Sequence, residues 1–129
     1  MTTAIPITPT NATTGSATAL FIIDIQNDLA ADPKTKIPHA ERVKKAATQI
    51  LASARAVIAK NINKSDIIVF VQHEETPESG PLVRGSEPWK LVFEPDEAGL
   101  ALGREVLVYK TTGEFVGLLS LSHVEGWDE

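Results

Sequence analysis

The chain has 129 residues, 43% hydrophobic and 22% charged, and twelve Lys and Arg against seventeen Asp and Glu give a net charge of −5. That is one domain with enough apolar residues for a core, which excludes a disordered, charge-driven polymer. The acidic balance argues against nucleic acid or an anionic membrane as partner, and no apolar run approaches the roughly 18–20 residues of a membrane span.

There is no cysteine. A disulfide framework, a thiolate metal site and a thiol nucleophile are therefore outside the chemistry of this chain. Residues 1–18 are rich in Thr, with Pro6 and Pro9 and no charged side chain before Asp24. They lack the basic start and long apolar stretch of a secretory leader and the arginines of a mitochondrial one, so they read as a disordered lead-in. The expected location is cytoplasmic.

Ala19–Ile23 (Ala-Leu-Phe-Ile-Ile) is a continuous apolar run ended by Asp24. Such a run without alternation predicts a strand covered on both faces, as in a parallel sheet. Ile67–Val71 has the same character with more β-branched residues, and Val106–Tyr109 is a third, weaker run. Between the first two, Val43, Ala47, Ile50, Ala54 and Val57 recur at steps of four and three. This spacing predicts an amphipathic helix over His39–Lys60 with those residues on its buried face. Pro38 suits its start, Asn61 a left-handed C-terminal cap, and Glu41 can pair with Lys45. Strand, helix and strand make a βαβ unit. Residues 73–103, with Pro77, Pro81, Pro88 and Pro95, form a long connection with a short helix near Trp89–Phe93. A connection of this length in a compact domain is a lid or binding segment, and leaving the second strand it should lie over the sheet edge that carries Asp24.

In open parallel sheets ligands bind beyond the carboxyl ends of the strands. Asp24, His73 and Lys110 all end predicted strands, which gathers a carboxylate, an imidazole and an ammonium on one rim. By position alone, Asp24 and Lys110 read as a strand-breaking turn residue and a solvated strand end, and His73 as scaffold. No Gly-rich loop follows the first strand, so no phosphate cradle is expected. Asp24 and Asp28 have no obvious third acidic partner, and His39, His73 and His123 are too dispersed for zinc. Trp89 reads as packing beneath the loop.

Three stretches carry a family resemblance. Ala19–Leu29 (Ala-Leu-Phe-Ile-Ile-Asp-Ile-Gln-Asn-Asp-Leu) resembles the opening strand and turn of isochorismatase-like cysteine hydrolases. Residues 68–89, ending Gly-Ser-Glu-Pro-Trp, are similar to their second strand and following loop, and 106–113 (Val-Leu-Val-Tyr-Lys-Thr-Thr-Gly) to their third strand with its lysine. The resemblance implies an α/β fold, a Rossmann-like three-layer sandwich with parallel strands, often oligomeric, acting on small amides or related substrates. It matches Asp24 to the family's proton-accepting aspartate and Lys110 to the lysine that stabilises the thiolate. A thiol attacking a carbonyl needs such a base and such a cation. Gln26, Leu29 and Trp89 are the candidate lining of the pocket. Leu29 stands where the family usually has an aromatic residue. Gln72-His73-Glu74 does not reproduce the metal-binding Asp-x-His of nicotinamidase-type members, so neither a metal nor another cofactor is expected.

The family's cysteine follows the lysine by a few dozen residues, whereas nineteen residues follow Lys110 here, and Ser120 and Ser122 match no family position. The resemblance fades after Gly113. The expected organisation is a lead at 1–18, a partial hydrolase domain at 19–113 and a divergent tail at 114–129, a truncated domain with no thiol-dependent turnover. A family sheet of about six strands has the first strand in its middle, so the shortened sheet should expose one edge of Ala19–Ile23. The alternative expectation is a non-catalytic binding or regulatory fragment that docks through that edge on a full-length relative; a homo-oligomer is the other expected partnership. A third is hydrolysis by Asp24 with a water nucleophile.

Overall fold

The computed structural model describes residues 17–61 and 63–111. The expected tail at 114–129, all but two residues of the expected lead, and Ser120, Ser122 and His123 lie outside the described residues. Strand β1 (Ala19–Ile23), the short helix α1 (Asn27–Ala30), the long helix α2 (Ala40–Lys60), strand β2 (Ile67–His73), the short helix α3 (Glu97–Ala101) and strand β3 (Glu105–Lys110) follow in chain order. The strands form one parallel sheet in the order β1-β2-β3, with Ala19 opposite Ile67 and His73 opposite Lys110. β2, flanked on both sides, is the most deeply buried, with Ile68, Val69 and Phe70 fully enclosed. This explains its unbroken apolar run, since neither face needs polar residues.

On one sheet face, Ile22, Ile68 and Phe70 pack with Leu51 and Ile58 of α2, joined by Leu20, Ala54 and Phe93. On the other face, Ile67, Val69, Val71 and Val108 cluster with Ala19, Phe21, Ile23 and Val106, all strand residues. Among the described residues no helix contributes to this second cluster, so they contain the sheet and one helical layer of the expected sandwich.

Helix α2 buries Ala40, Ala47, Leu51 and Ile58, while Ile50 and Val57 stay 51% and 49% exposed. The buried stripe is thus rotated by one residue from the expected one. Ile50 and Leu51 are both apolar, as are Val57 and Ile58, so the apolar arc is wider than the sheet covers. Its uncovered half flanks the edge of β1 that has no partner strand among the described residues. The ends of α2 also differ from expectation. His39, not Asn61, is left-handed, with φ 67°, whereas Asn61 (φ −117°) closes the helix by donating its side-chain amide to the Val57 carbonyl at 2.9 Å. Glu41 pairs with Lys44 at 3.1 Å and Lys36 at 3.3 Å rather than with Lys45. These two ammonium groups, Lys44 first, hold its carboxyl below the usual carboxylate range.

The expected helix at Trp89–Phe93 is absent, because that backbone is bound elsewhere. Asn27 N–H donates to the Lys90 carbonyl, Asp28 N–H to Pro88 and Val92 N–H to Ile25, at 2.9–3.1 Å. The helical turn comes later, at α3, where the Asp96 carboxylate caps Gly99 N–H at 3.2 Å. Glu105, 4% exposed at the start of β3, ties these parts together. Its carboxylate accepts from Arg55 Nε at 2.9 Å, from an Arg55 terminal nitrogen at 2.8 Å and from Asp96 N–H at 2.9 Å. The carboxylate raises the Arg55 guanidinium still further above its ordinary value.

Candidate active site

At the carboxyl end of β1 the backbone leaves the sheet. Asp24 N–H still donates to the Val71 carbonyl at 3.0 Å, but Asp24 itself adopts a left-handed conformation with φ 58°. Aspartate tolerates this region better than most residues, and such local strain concentrates at functional sites. The turn sends the Asp24 carboxylate across the strand ends to Lys110, the last residue of β3. Lys110 Nζ donates to Asp24 Oδ2 at 2.8 Å, with the side chains 11% and 27% exposed. Two residues 86 positions apart thus form a short, largely desolvated ion pair. Competition from water is weak there, so the charge-assisted bond is stronger than a surface pair of the same length.

Gln26 supplies what the turning backbone no longer can. It is completely buried. Its Oε1 accepts from His73 N–H at 2.9 Å, and its Nε2 donates to the His73 carbonyl at 3.0 Å and to the Trp89 carbonyl at 2.7 Å. The carboxamide acts as one further peptide unit of β1, extending the ladder to His73 and binding the long loop. Gln72 Nε2 reaches the same Trp89 carbonyl at 2.9 Å. The loop therefore lies over the strand ends, as its length and origin suggested. A second tie comes from Arg84, which makes paired bonds to Glu74 at 2.8 and 3.1 Å and stands 5.0 Å over the Tyr109 ring. The Glu74 carboxylate raises the Arg84 guanidinium above its usual value.

Three buried side-chain atoms have no hydrogen-bond partner among the described residues: Asp24 Oδ1, His73 Nδ1 and Trp89 Nε1. All three belong to this end of the sheet and the loop strapped across it. Unmatched buried polar atoms are rare and costly, which makes this end of the sheet the candidate site. The other His73 nitrogen faces Glu75 Oε1 at 3.4 Å.

Asp24 and Lys110 are thus joined directly, and Trp89 is held through its carbonyl by Gln26 and Gln72. Gln26 offers no surface to a ligand, its amide being used wholly on backbone. Leu29 is half-buried on α1, where its carbonyl accepts from Ile37 N–H at 2.8 Å. Sequence reasoning missed the extension of the ladder by Gln26. Its only signal was a polar residue three positions beyond a buried strand, in a segment whose partner lies 63 residues on.

No family model matches the chain, and no curated protein matches it either. Solved structures do. An isochorismatase-like hydrolase from Alkaliphilus metalliredigens superposes with a TM-score of 0.60 at 16% identity, over 84% of this chain and 60% of that one. An isochorismatase family protein gives 0.51 at 26% identity, over 72% and 46%. A pyrazinamidase of Pyrococcus horikoshii, solved with zinc, gives 0.50 at 18% identity, over 86% and 66%. The chain thus spans about half to two thirds of the length of these structures. Among the described residues no three His, Asp or Glu side chains are placed to hold a metal ion. Nor is any described helix long and apolar enough to cross a membrane.

Proposed function

The chain has an isochorismatase-like α/β fold, and from that premise we propose that Asp24 and Lys110 are the acid–base half of a hydrolase site for small amides or related carbonyl compounds. The observation that carries this reading is the 2.8 Å bond between them at the shared rim of the sheet. An amide presents an N–H donor and a carbonyl acceptor. The carboxylate suits the first and the ammonium the second, and each bond is charge-assisted. In a full reaction of this class the aspartate takes the proton from the attacking nucleophile, and the ammonium steadies the resulting anion before it adds to the carbonyl carbon. This chain has no cysteine to serve as that nucleophile. Alone, it binds substrate without thiol-dependent turnover.

The test is ligand-observed NMR with a panel of small primary amides and matched esters, run beside a hydrolysis assay. Binding of amides without turnover is expected. It should weaken at least tenfold in Asp24→Asn and in Lys110→Met, as the loss of one charge-assisted bond at about 1.5–3 kcal/mol requires. A chain that binds no amide refutes the reading. Hydrolysis by the purified chain that disappears in Asp24→Asn replaces the non-catalytic part with an aspartate-activated water.

A further inference from the structure

The second face of the sheet is more enclosed than its described neighbours explain. Val69 is 0% exposed, Val71 4% and Val108 7%, as deeply buried as Phe70 and Leu51 on the face that carries α2. Yet the described apolar residues that cluster with them all belong to strands. The long loop is engaged on the first face, where Leu91 and Phe93 join the α2 cluster. Side chains stand roughly perpendicular to a sheet and repeat about every 6.6 Å along a strand. Neighbours in the same sheet therefore shield their flanks and leave their tips in water. Other atoms of this chain must lie over the tips. Val71 and Val108 are register partners toward the carboxyl ends of β2 and β3. Val108 is enclosed although β3 is paired on one side only among the described residues, so the cover reaches that end of the sheet.

We propose that residues 115–121 (Phe-Val-Gly-Leu-Leu-Ser-Leu) turn back from the end of β3 and pack over Val71 and Val108 on this face. Outside the described residues the chain has 1–16, Ile62 and 112–129. Residues 1–16 lead into β1 at Ala19 and Ile62 precedes β2, both at the end of the sheet away from Val108. The large apolar side chains of 1–16 are only Met1, Ile5 and Ile7. Residues 115–121 carry Phe115, Val116, Leu118, Leu119 and Leu121, and they follow β3 at the end where Val108 is enclosed. Reach is ample. Five residues span up to about 17 Å, whereas Val108 lies about 7 Å back along β3 from Lys110 and Val71 about 5 Å across from it. Alternation places Lys110 on the same face as Val108, so the covering segment also borders the lysine stem at the rim. The proposal is independent of how the Asp24–Lys110 pair is read.

The experiment is methyl NMR on the full 129-residue chain. Nuclear Overhauser contacts are expected from the Phe115 ring and the leucine methyls of 115–121 to the methyls of Val71 and Val108. A soluble gadolinium chelate should broaden Val69, Val71 and Val108 as little as Ile68 and Leu51 on the α2 face. In Leu118→Asp with Leu119→Asp the chelate should broaden Val71 and Val108 severalfold more, with Ile68 and Leu51 unchanged. Ile5→Asp with Ile7→Asp should alter neither set. If the double aspartate fails to fold, the wild-type contacts decide. Strong broadening of Val71 and Val108 in the wild type overturns the proposal, because the face is then open. Absence of the contacts from 115–121, or contacts from Ile5 and Ile7 in their place, overturns it too. So do contacts from 115–121 that arise only between differently labelled copies in a mixed sample, since the cover is then a second chain.

Discussion

Replacing Gln26 with leucine removes the side chain that joins the sheet to the loop while nearly conserving its volume. Three backbone groups are affected. His73 N–H and the His73 carbonyl lose the partners they have at 2.9 and 3.0 Å. The Trp89 carbonyl keeps its bond from Gln72 at 2.9 Å. An unsatisfied buried backbone group costs about 1–3 kcal/mol. Two lost partners and one shared one, less a modest gain from the added apolar group, give about 3 kcal/mol. For a domain of this size that lowers Tm by roughly 15 °C. Urea unfolding followed by circular dichroism measures it. Because Gln72 and Gln26 share the Trp89 carbonyl, Gln26→Leu combined with Gln72→Leu should be non-additive by about 0.5–3 kcal/mol, whereas unconnected sites would add. A Gln26→Leu chain within about 1 kcal/mol of wild type refutes the reasoning, since the loop would then be held by its direct backbone bonds alone.

Three further outcomes are expected. Arg55→Met leaves the buried Glu105 carboxylate with only the Asp96 N–H and should cost about 3 kcal/mol in urea unfolding, most of it recovered in Arg55→Met with Glu105→Leu, which removes the stranded charge. His39→Gly should raise stability by about 0.5–1 kcal/mol, because glycine takes the left-handed φ of 67° without steric cost. Asp24→Ala and Asp24→Gly lose the same ion pair, but alanine alone meets the penalty of φ 58°, so it should be less stable than glycine by about 1 kcal/mol.

The strands were legible because each is a short run of residues that only a doubly covered strand can use, and β1 begins and ends where the apolar run does. β2 and β3 run slightly past the apolar residues, to His73 and Lys110, because neighbouring strands hold their polar ends in register. The Asp24–Lys110 pairing was legible for a topological reason. Parallel strands bring their carboxyl ends to one rim whatever the intervening sequence does. The buried stripe of α2 was not legible. Leu51 and Ile50 are equally apolar, and the choice between them depends on where the sheet stops. Nor was the role of Gln26 legible, since a carboxamide gives no hint of whether it faces water or two carbonyls, one at the end of β2 and one in a loop far along the chain. The left-handed His39 carried no signal either, being imposed by the route of the chain into the helix.

Because a side chain completes the ladder at His73, a single amide proton becomes a gauge of the whole strap. Its exchange with solvent deuterium requires the carboxamide to swing away. The same swing removes one of the two bonds to the Trp89 carbonyl, leaving only that from Gln72, so the lifetime of that one proton reports how firmly the loop is strapped over the strand ends.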